Sequence, residues 1–514
     1  LQWIVQGYQT MLLELDSQLG GRNADLVICP VGVGSFAQAV VSHVKQDGRA
    51  TSMVTVEPDS AACLWKCLRK DQFAPIETSP TIMAGLDCGT VSTTAWPLLQ
   101  SGVDASLTVS DYESHVAVEE LMTMGVLAGP CGASPLAALR RLSDQDKESL
   151  GLTKSSTVVL LCTEGSRAYH IPLDVSSDDP AALTQTLVQI DSSNPSLGST
   201  PGPGETAVAR YITHWLEHRD IENHLVEPTR GRPSIVGVVR GSGGGKSLMF
   251  NGHIDTVTIL GYDGDPLSGT IANGRLYGRG SADMKCGVAS AMVALARSKT
   301  LGLRGDVIFT GVSDEEAASI GTEEVLAAGW RADGAVVSEP TNLKIVNSHK
   351  GFVWIEVDIH GVAAHGSRAD LGVDAICKAG YFLIALDQYA KHLEANVVDP
   401  KVGPASVHAS LIKGGEEASS YPARCTITIE RRTIAGETAG QVEQEIRSLL
   451  EKIAHQDAQF KYDLQVTFER SPYSLASDHP FASLVHHHVE QSLGENVSFH
   501  GDTFWTDCAL LADA

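Results

Sequence analysis

Four segments in the second half of this chain each end on a group that binds protons or metals. They are SLMFNGHID (247–255), GRLYGRGSADMKCG (274–287), DVIFTGVSDEE (306–316) and GAVVSEP (334–340). An apolar stretch of five or six residues followed by a short polar turn reads as a buried strand reaching its carboxyl end. When several such strands alternate with helices, the chain builds an open α/β sheet, and ligands bind at the carboxyl edge of that sheet. One acid after a strand is an ordinary turn. Four in order place His253, Asp255, Asp283, Glu315, Glu316 and Glu339 at one edge.

The residue types narrow the chemistry. His253 and Asp255 are two apart on a strand and share a face. A ligating imidazole commonly gives its second N–H to a carboxylate, which fixes its tautomer. Asp283 lies 30 residues after His253, after a Gly-rich turn and ahead of an apolar helix, where an Asp alone could be a helix N-cap. Asp314, Glu315 and Glu316 are consecutive acids after a buried run, an arrangement that calls for positive charge nearby. A His, Asp and Glu set without Cys suits Zn²⁺, Mn²⁺ or Co²⁺. Two cations sharing one carboxylate can acidify a water, and of two adjacent glutamates one can ligate while the other moves the proton.

At 514 residues the chain exceeds one ordinary domain. Residues 1–178 alternate short apolar strands, such as DLVICPVGVGS (25–35) and SMVTVEP (52–58), with helices, which predicts a parallel sheet. A polar linker, DVSSDDPAALTQ (174–185), precedes a second α/β unit over 179–348. From 349 to 468 the pattern changes to strict alternation, as in GFVWIEVDIHG, which predicts an inserted α+β domain on an antiparallel sheet. Residues 469–514 return to helix and loop. GSGGGKS (241–247) lacks the first glycine of a phosphate loop and runs into a strand, so it reads as a hairpin loop.

The formal charge of −24 argues against nucleic acid or an anionic membrane as partner. No apolar run approaches the ~20 residues of a membrane-spanning helix. Ten cysteines without a paired framework or a C-x-x-C pair read as reduced thiols of a cytoplasmic protein.

NGHIDTV, LYGRGSADMK, SDEEAASIGT and VVSEPT resemble, in order and spacing, the dinuclear zinc metallopeptidases and deacylases that include acetylornithine deacetylase, succinyl-diaminopimelate desuccinylase, aminoacylase and carboxypeptidase G. The resemblance covers about 182–514. It implies an α/β catalytic domain with an inserted dimerisation domain, two divalent metal ions (Zn, Co or Mn), and hydrolysis of an amide in an N-acyl amino acid or short peptide. It implies His253, Asp283, Glu316 and Glu339 as metal ligands, with Asp283 bridging, Asp255 as orienting partner and Glu315 as general base. His365 in HGVAAHGSRAD corresponds to a His that a dimer partner receives at its oxyanion, and Arg432 in ERRTIAGE to a substrate-carboxylate site. The family's last metal ligand, a His after a Gly-Pro loop, lies beyond FWTDCALLADA. His486–His488 is a tempting substitute, but three successive helical residues face different ways.

PVGVGSFAQAV, TVEPDSA and LLCTEGS resemble the C-terminal half of fold-type II pyridoxal-phosphate lyases related to diaminopropionate ammonia-lyase, over about 1–178. Gly32, Gly34 and Ser35 fall on the phosphate-binding loop of that family. No lysine precedes Pro30, so pyridoxal phosphate belongs to a longer parent chain. The expectation is a fusion fragment whose activity is that of a homodimeric amidohydrolase. The alternatives are an ammonia-lyase in the longer chain and a catalytically inactive truncated chain.

Overall fold

The computed structural model describes residues 2–46 and 50–514. In the first half, four parallel strands stand in the spatial order Ala105–Val109, Ser52–Pro58, Leu26–Pro30, Val158–Leu160. Strand Leu26–Pro30 shows why the sheet is parallel and sandwiched. Leu26 and Ile28 pack into one apolar core, Val27 and Cys29 into another, and all four are buried. A strand with both faces covered needs apolar residues at every position.

The second unit is a five-stranded mixed sheet, ordered Gly334–Val337, Leu248–His253, Val307–Val312, Ser234–Val239, Glu222–Val226. The first three run parallel, and the last two are antiparallel. The three parallel strands therefore release their carboxyl ends at one edge. Helices Pro180–Gln189, Thr206–His218 and Lys285–Ser298 cover one face. Val208, Ile212, Trp215 and Leu216 form the buried stripe of the second helix at the spacing an amphipathic helix requires. The reading of GSGGGKS as a hairpin loop is corrected here: it joins Ser234–Val239 to Leu248–His253, but strand Val307–Val312 lies between them. Local turn chemistry cannot reveal a strand that inserts from 60 residues downstream.

Beyond it, antiparallel strands Ser406–Gly414, Arg424–Thr433, Gly351–His360 and Lys461–Arg470 form a second sheet, with helices Ala375–Asn396 and Ala439–Gln456 on one face. Val353, Ile355, Val357 and Ile359 are buried as their alternation predicts. The chain enters this lid near Gly351 and leaves it near Arg470. The tail expected as helix and loop also supplies two short strands, Tyr473–Ser474 and Phe499–Asp502, on either side of Ile345–His349. Among the described residues no helix is long and apolar enough to cross a membrane.

The two halves meet along helix Thr206–His218. His218 Nδ1 lies 2.7 Å from Asp59 Oδ2, and Ser79 donates to Glu217 at 2.7 Å. Arg141 sits 3.0 Å from Glu113 and 3.9 Å from Asp59, so this seam holds two carboxylates beside an internal guanidinium.

Candidate metal centre

Strand Leu248–His253 ends with His253 buried at the sheet edge. Its Nε2 lies 3.1 Å from Asp283, 3.7 Å from Glu339 and 3.9 Å from Glu315. On the other side of the ring, Nδ1 is 3.1 Å from the Asp255 carbonyl and 3.5 Å from its carboxylate. Asp283 comes from the turn before helix Lys285–Ser298, Glu315 and Glu316 from the turn after Val307–Val312, and Glu339 from the turn after Gly334–Val337. Three groups of ligand-type atoms lie within 4.8 Å of one another among the described residues. Two share His253, one with Asp283 and Glu316 and one with Glu315 and Glu339; the third is Asp59, Glu113 and His218 at the seam.

Asp314 parts company with its neighbours. It adopts a left-handed backbone conformation, φ 68°, which non-glycine residues rarely do. Its carboxylate turns inward, accepting from Arg232 Nη2 at 2.7 Å and Asn194 Nδ2 at 3.0 Å. The next two backbone N–H groups donate to Asp255, from Glu315 at 3.1 Å and Glu316 at 3.3 Å. The charge of the three-acid run is thus divided: Asp314 is met by an internal arginine, while Glu315 and Glu316 face the site. Sequence reading placed cations beside all three and missed Arg232.

Electrostatics marks Glu315, Glu316 and Glu339 as uncompensated. Burial, reinforced by Asp283 and Asp507, raises the Glu339 carboxyl from 4.5 to about 8 against the pull of His253. Burial with Asp283 and Asp255 raises Glu316 to about 7. Burial with Glu339, Asp507 and Asp255 drives Glu315 well above the carboxylate range. Burial disfavours charge on His253 too, but Glu339, Asp255, Asp283 and Glu315 outweigh it and hold its pKa well up. The hydrogen bond from His253 keeps Asp283 low. A donor set of one imidazole and several buried carboxylates repelling one another fits divalent cations. The groups that could hold them are His253 with Glu315 and Glu339, and His253 with Asp283 and Glu316.

Asp507 belongs to this neighbourhood and was missed. It is buried, with one oxygen accepting from Thr322 at 2.7 Å and the other without a hydrogen-bond partner. Burial raises its carboxyl to about 6. Its only sequence signal was an acid inside the apolar run FWTDCALL.

Other expected residues lie elsewhere. His365 is exposed on the lid, 2.9 Å from Ser367. Arg432 pairs with Glu430 and lies over the Phe352 ring. His486 contacts the Val497 carbonyl at 2.6 Å and stacks on Phe499, among no site residues. Gly32, Gly34 and Ser35 do form a turn at the start of helix Ser35–Val44, with Gly34 at φ 91° where only glycine is comfortable. A Cβ at Gly32 would meet the Gly85 carbonyl at 3.0 Å. The turn suits an anion, but pyridoxal chemistry also needs an amine. Lys45, at the far end of that helix, is engaged by Asp104 and the Thr51 carbonyl. The residues described do not fit the cofactor as a working group, and no step is derived through it.

An open sheet that gathers an imidazole and carboxylates at one edge, with an antiparallel lid inserted in the chain, defines the metallohydrolase class. The chain belongs to peptidase family M20/M25/M40, whose family model matches residues 249–514. A model described as pyridoxal-phosphate dependent enzyme matches residues 2–164. The chain is 32% identical over 237 residues to an acetylornithine deacetylase of Myxococcus xanthus, a match covering 45% of this chain and 62% of that enzyme. It is 27% identical to an N-formyl-4-amino-5-aminomethyl-2-methylpyrimidine deformylase of Bacillus subtilis, over 54% of this chain and 68% of the relative. The fold is similar to that of the aminopeptidase PepT of Bacillus cereus, with TM-score 0.52 and 17% identity, over 66% of this chain and 88% of that one.

Proposed function

We propose that this chain carries the hydrolytic site for an amide bond in an N-acyl amino acid or dipeptide-like substrate, with zinc as the resident metal. The observation that carries the reading is the cluster of carboxylates around His253, in which Glu315 and Glu339 are largely buried and have their pKa values raised. Two divalent cations held by His253, Asp283, Glu316 and Glu339 would polarise the amide carbonyl and acidify the attacking water. Asp283, nearest to His253, is the carboxylate to be shared. Glu315 takes the proton from the attacking water and delivers it to the leaving nitrogen, a task suited to a carboxyl whose pKa is raised by burial. Asp255 orients His253 through Nδ1.

The lid supplies the rest. His365 stands exposed and free to approach a partner's site, and Arg432 offers a guanidinium to a substrate carboxylate. A homodimer is supported by the exposed edge strand Ser406–Gly414, where Leu411 and Ile412 lie open. The deacetylase and deformylase names of the relatives support an acyl-amine substrate. The ten free cysteines support a reducing, cytoplasmic setting.

The test loads the purified chain with zinc, counts bound metal, and follows amine release from N-acetyl, N-formyl and N-succinyl amino acids and dipeptides. Chelator-sensitive release is expected, with Glu315→Gln lowering kcat by about 10²–10⁴-fold at unchanged metal content. Absence of both metal uptake and hydrolysis sinks the reading.

A further inference from the structure

We propose that Arg232, acting through Asp314, is a positioning residue that aims Glu315 and Glu316 into the site, with Asn194 as its partner; the proposal rests on the hydrolytic reading above. Nothing in the roles assigned so far explains why the first acid of the run is turned away from the other two. The geometry does. Arg232 is clamped from behind by Glu205, which accepts from Nε at 2.9 Å and Nη2 at 2.7 Å. The same Nη2 reaches Asp314 at 2.7 Å. Asn194 uses one amide nitrogen to join Asp314 at 3.0 Å to Asp255 at 2.7 Å. Glu205, Arg232, Asp314, Asn194 and Asp255 thus form one continuous buried chain of hydrogen bonds.

That chain fixes the turn. The Asp314 carbonyl collects the N–H groups of Ala317, Ala318 and Ser319 at 3.2, 2.9 and 2.6 Å. With the carboxylate held inward and the carbonyl capped, the left-handed conformation is locked. The N–H groups of Glu315 and Glu316 then fall on Asp255, and both side chains lie beside His253. Without Arg232 the Asp314 carboxylate would be a buried charge with one amide donor, and the turn would open to hydrate it. A lysine cannot replace the fork, because a single ammonium cannot span Glu205 and Asp314 in the plane that guanidinium provides.

The experiment measures hydrogen exchange at the Glu315 and Glu316 amides in the metal-free 514-residue chain, and binding of cobalt alone by equilibrium dialysis with its visible absorption. The variants are Arg232→Lys, Asn194→Ala and the isosteric Asp314→Asn, which serves if Arg232→Lys does not fold. Exchange at the two amides should quicken at least ~10-fold, while strands Ser234–Val239 and Val307–Val312 stay protected. Cobalt should bind about 10- to 100-fold more weakly, the range of a lost outer partner of a metal ligand. Unchanged protection at Glu315 and Glu316, or a loss spread evenly over the whole sheet, overturns the proposal. If the parent chain takes up no cobalt, the hydrolytic reading fails, and the exchange pattern still decides the role of Arg232.

Discussion

Two regions of this molecule crowd carboxylates together, and they solve the problem in opposite ways. At the seam between the halves, Asp59 and Glu113 are met by Arg141 and His218 from the same chain. At the sheet edge, Asp255, Asp283, Glu315, Glu316, Glu339 and Asp507 share one imidazole, His253. Arg232 is committed to Glu205 and Asp314, and Arg279 helps to hold only the Asp283 carboxyl low. Both regions bring three ligand-type atoms within 4.8 Å, so proximity alone does not separate them. Internal neutralisation does. A cluster that carries its own cation is cement, and one that leaves its acids unpaired is strengthened by a cation from outside.

The largest expected effect breaks the comparison if it falls on the wrong side. Zinc should raise the thermal stability of the whole chain, by about 4 kcal/mol at free metal a thousandfold above Kd. Glu339→Gln should remove the shift and Asp59→Asn should leave it. A zinc effect lost on Asp59→Asn and kept on Glu339→Gln would reverse the assignment of the two clusters. Differential scanning calorimetry with zinc or a chelator reads both.

The pH dependence follows with its sign. A carboxyl whose pKa is raised on folding stabilises the fold fully below its unfolded value and ceases to do so as pH rises through the folded one. Glu316 rises from 4.5 to about 7 and Glu339 from 4.5 to about 8. The metal-free chain should therefore weaken between about pH 5 and pH 8. Zinc should flatten that slope. Glu217 at the seam, pushed by burial to about 7, adds a smaller fall of the same sign. Zinc should not remove this part, whereas Glu217→Gln should. Urea midpoints across pH, with and without zinc, separate the two.

The same contrast explains what could be read in the chain beforehand. Period-two alternation in GFVWIEVDIHG, the strand-end His253 and the turn acids at 283, 315, 316 and 339 are local signals, and the structure brings those acids and His253 together. Arg232, Asn194 and Asp507 were illegible because each matters through a partner about 60 to 185 residues away. A buried arginine that meets two acids looks, in sequence, like any surface arginine. The placement of strand Val307–Val312 between two consecutive strands was hidden for the same reason. The seam, formed by Asp59, Glu113, Arg141 and His218, has no local signature at all.

Removing the seam's own cation should make it resemble the site. Arg141→Met leaves Asp59 and Glu113 with His218 alone. Its side chain is 30% exposed, so the loss should be about 2 kcal/mol, below the 3–5 kcal/mol of a fully buried pair. The variant should also gain a second zinc-dependent stabilisation, abolished by adding Asp59→Asn. A stability loss without that gain would mean that the seam lacks ligand geometry, and charge balance alone would not distinguish the clusters.

The smallest effect runs the other way at the site. Glu316→Gln removes one of the mutually repelling acids, so with chelator at pH 8 it should stabilise the chain by about 1 kcal/mol. The same change should weaken zinc binding, because the amide that replaces the carboxylate is a poor ligand. A residue whose neutralisation strengthens the metal-free fold while costing metal affinity is held there for binding. The urea midpoint and the zinc Kd, measured on one preparation, test both signs. Destabilisation at pH 8 would show that Glu316, through its contact at 3.1 Å with the Val257 N–H, supports the turn more than it strains it, and the contrast with the seam would weaken at that position.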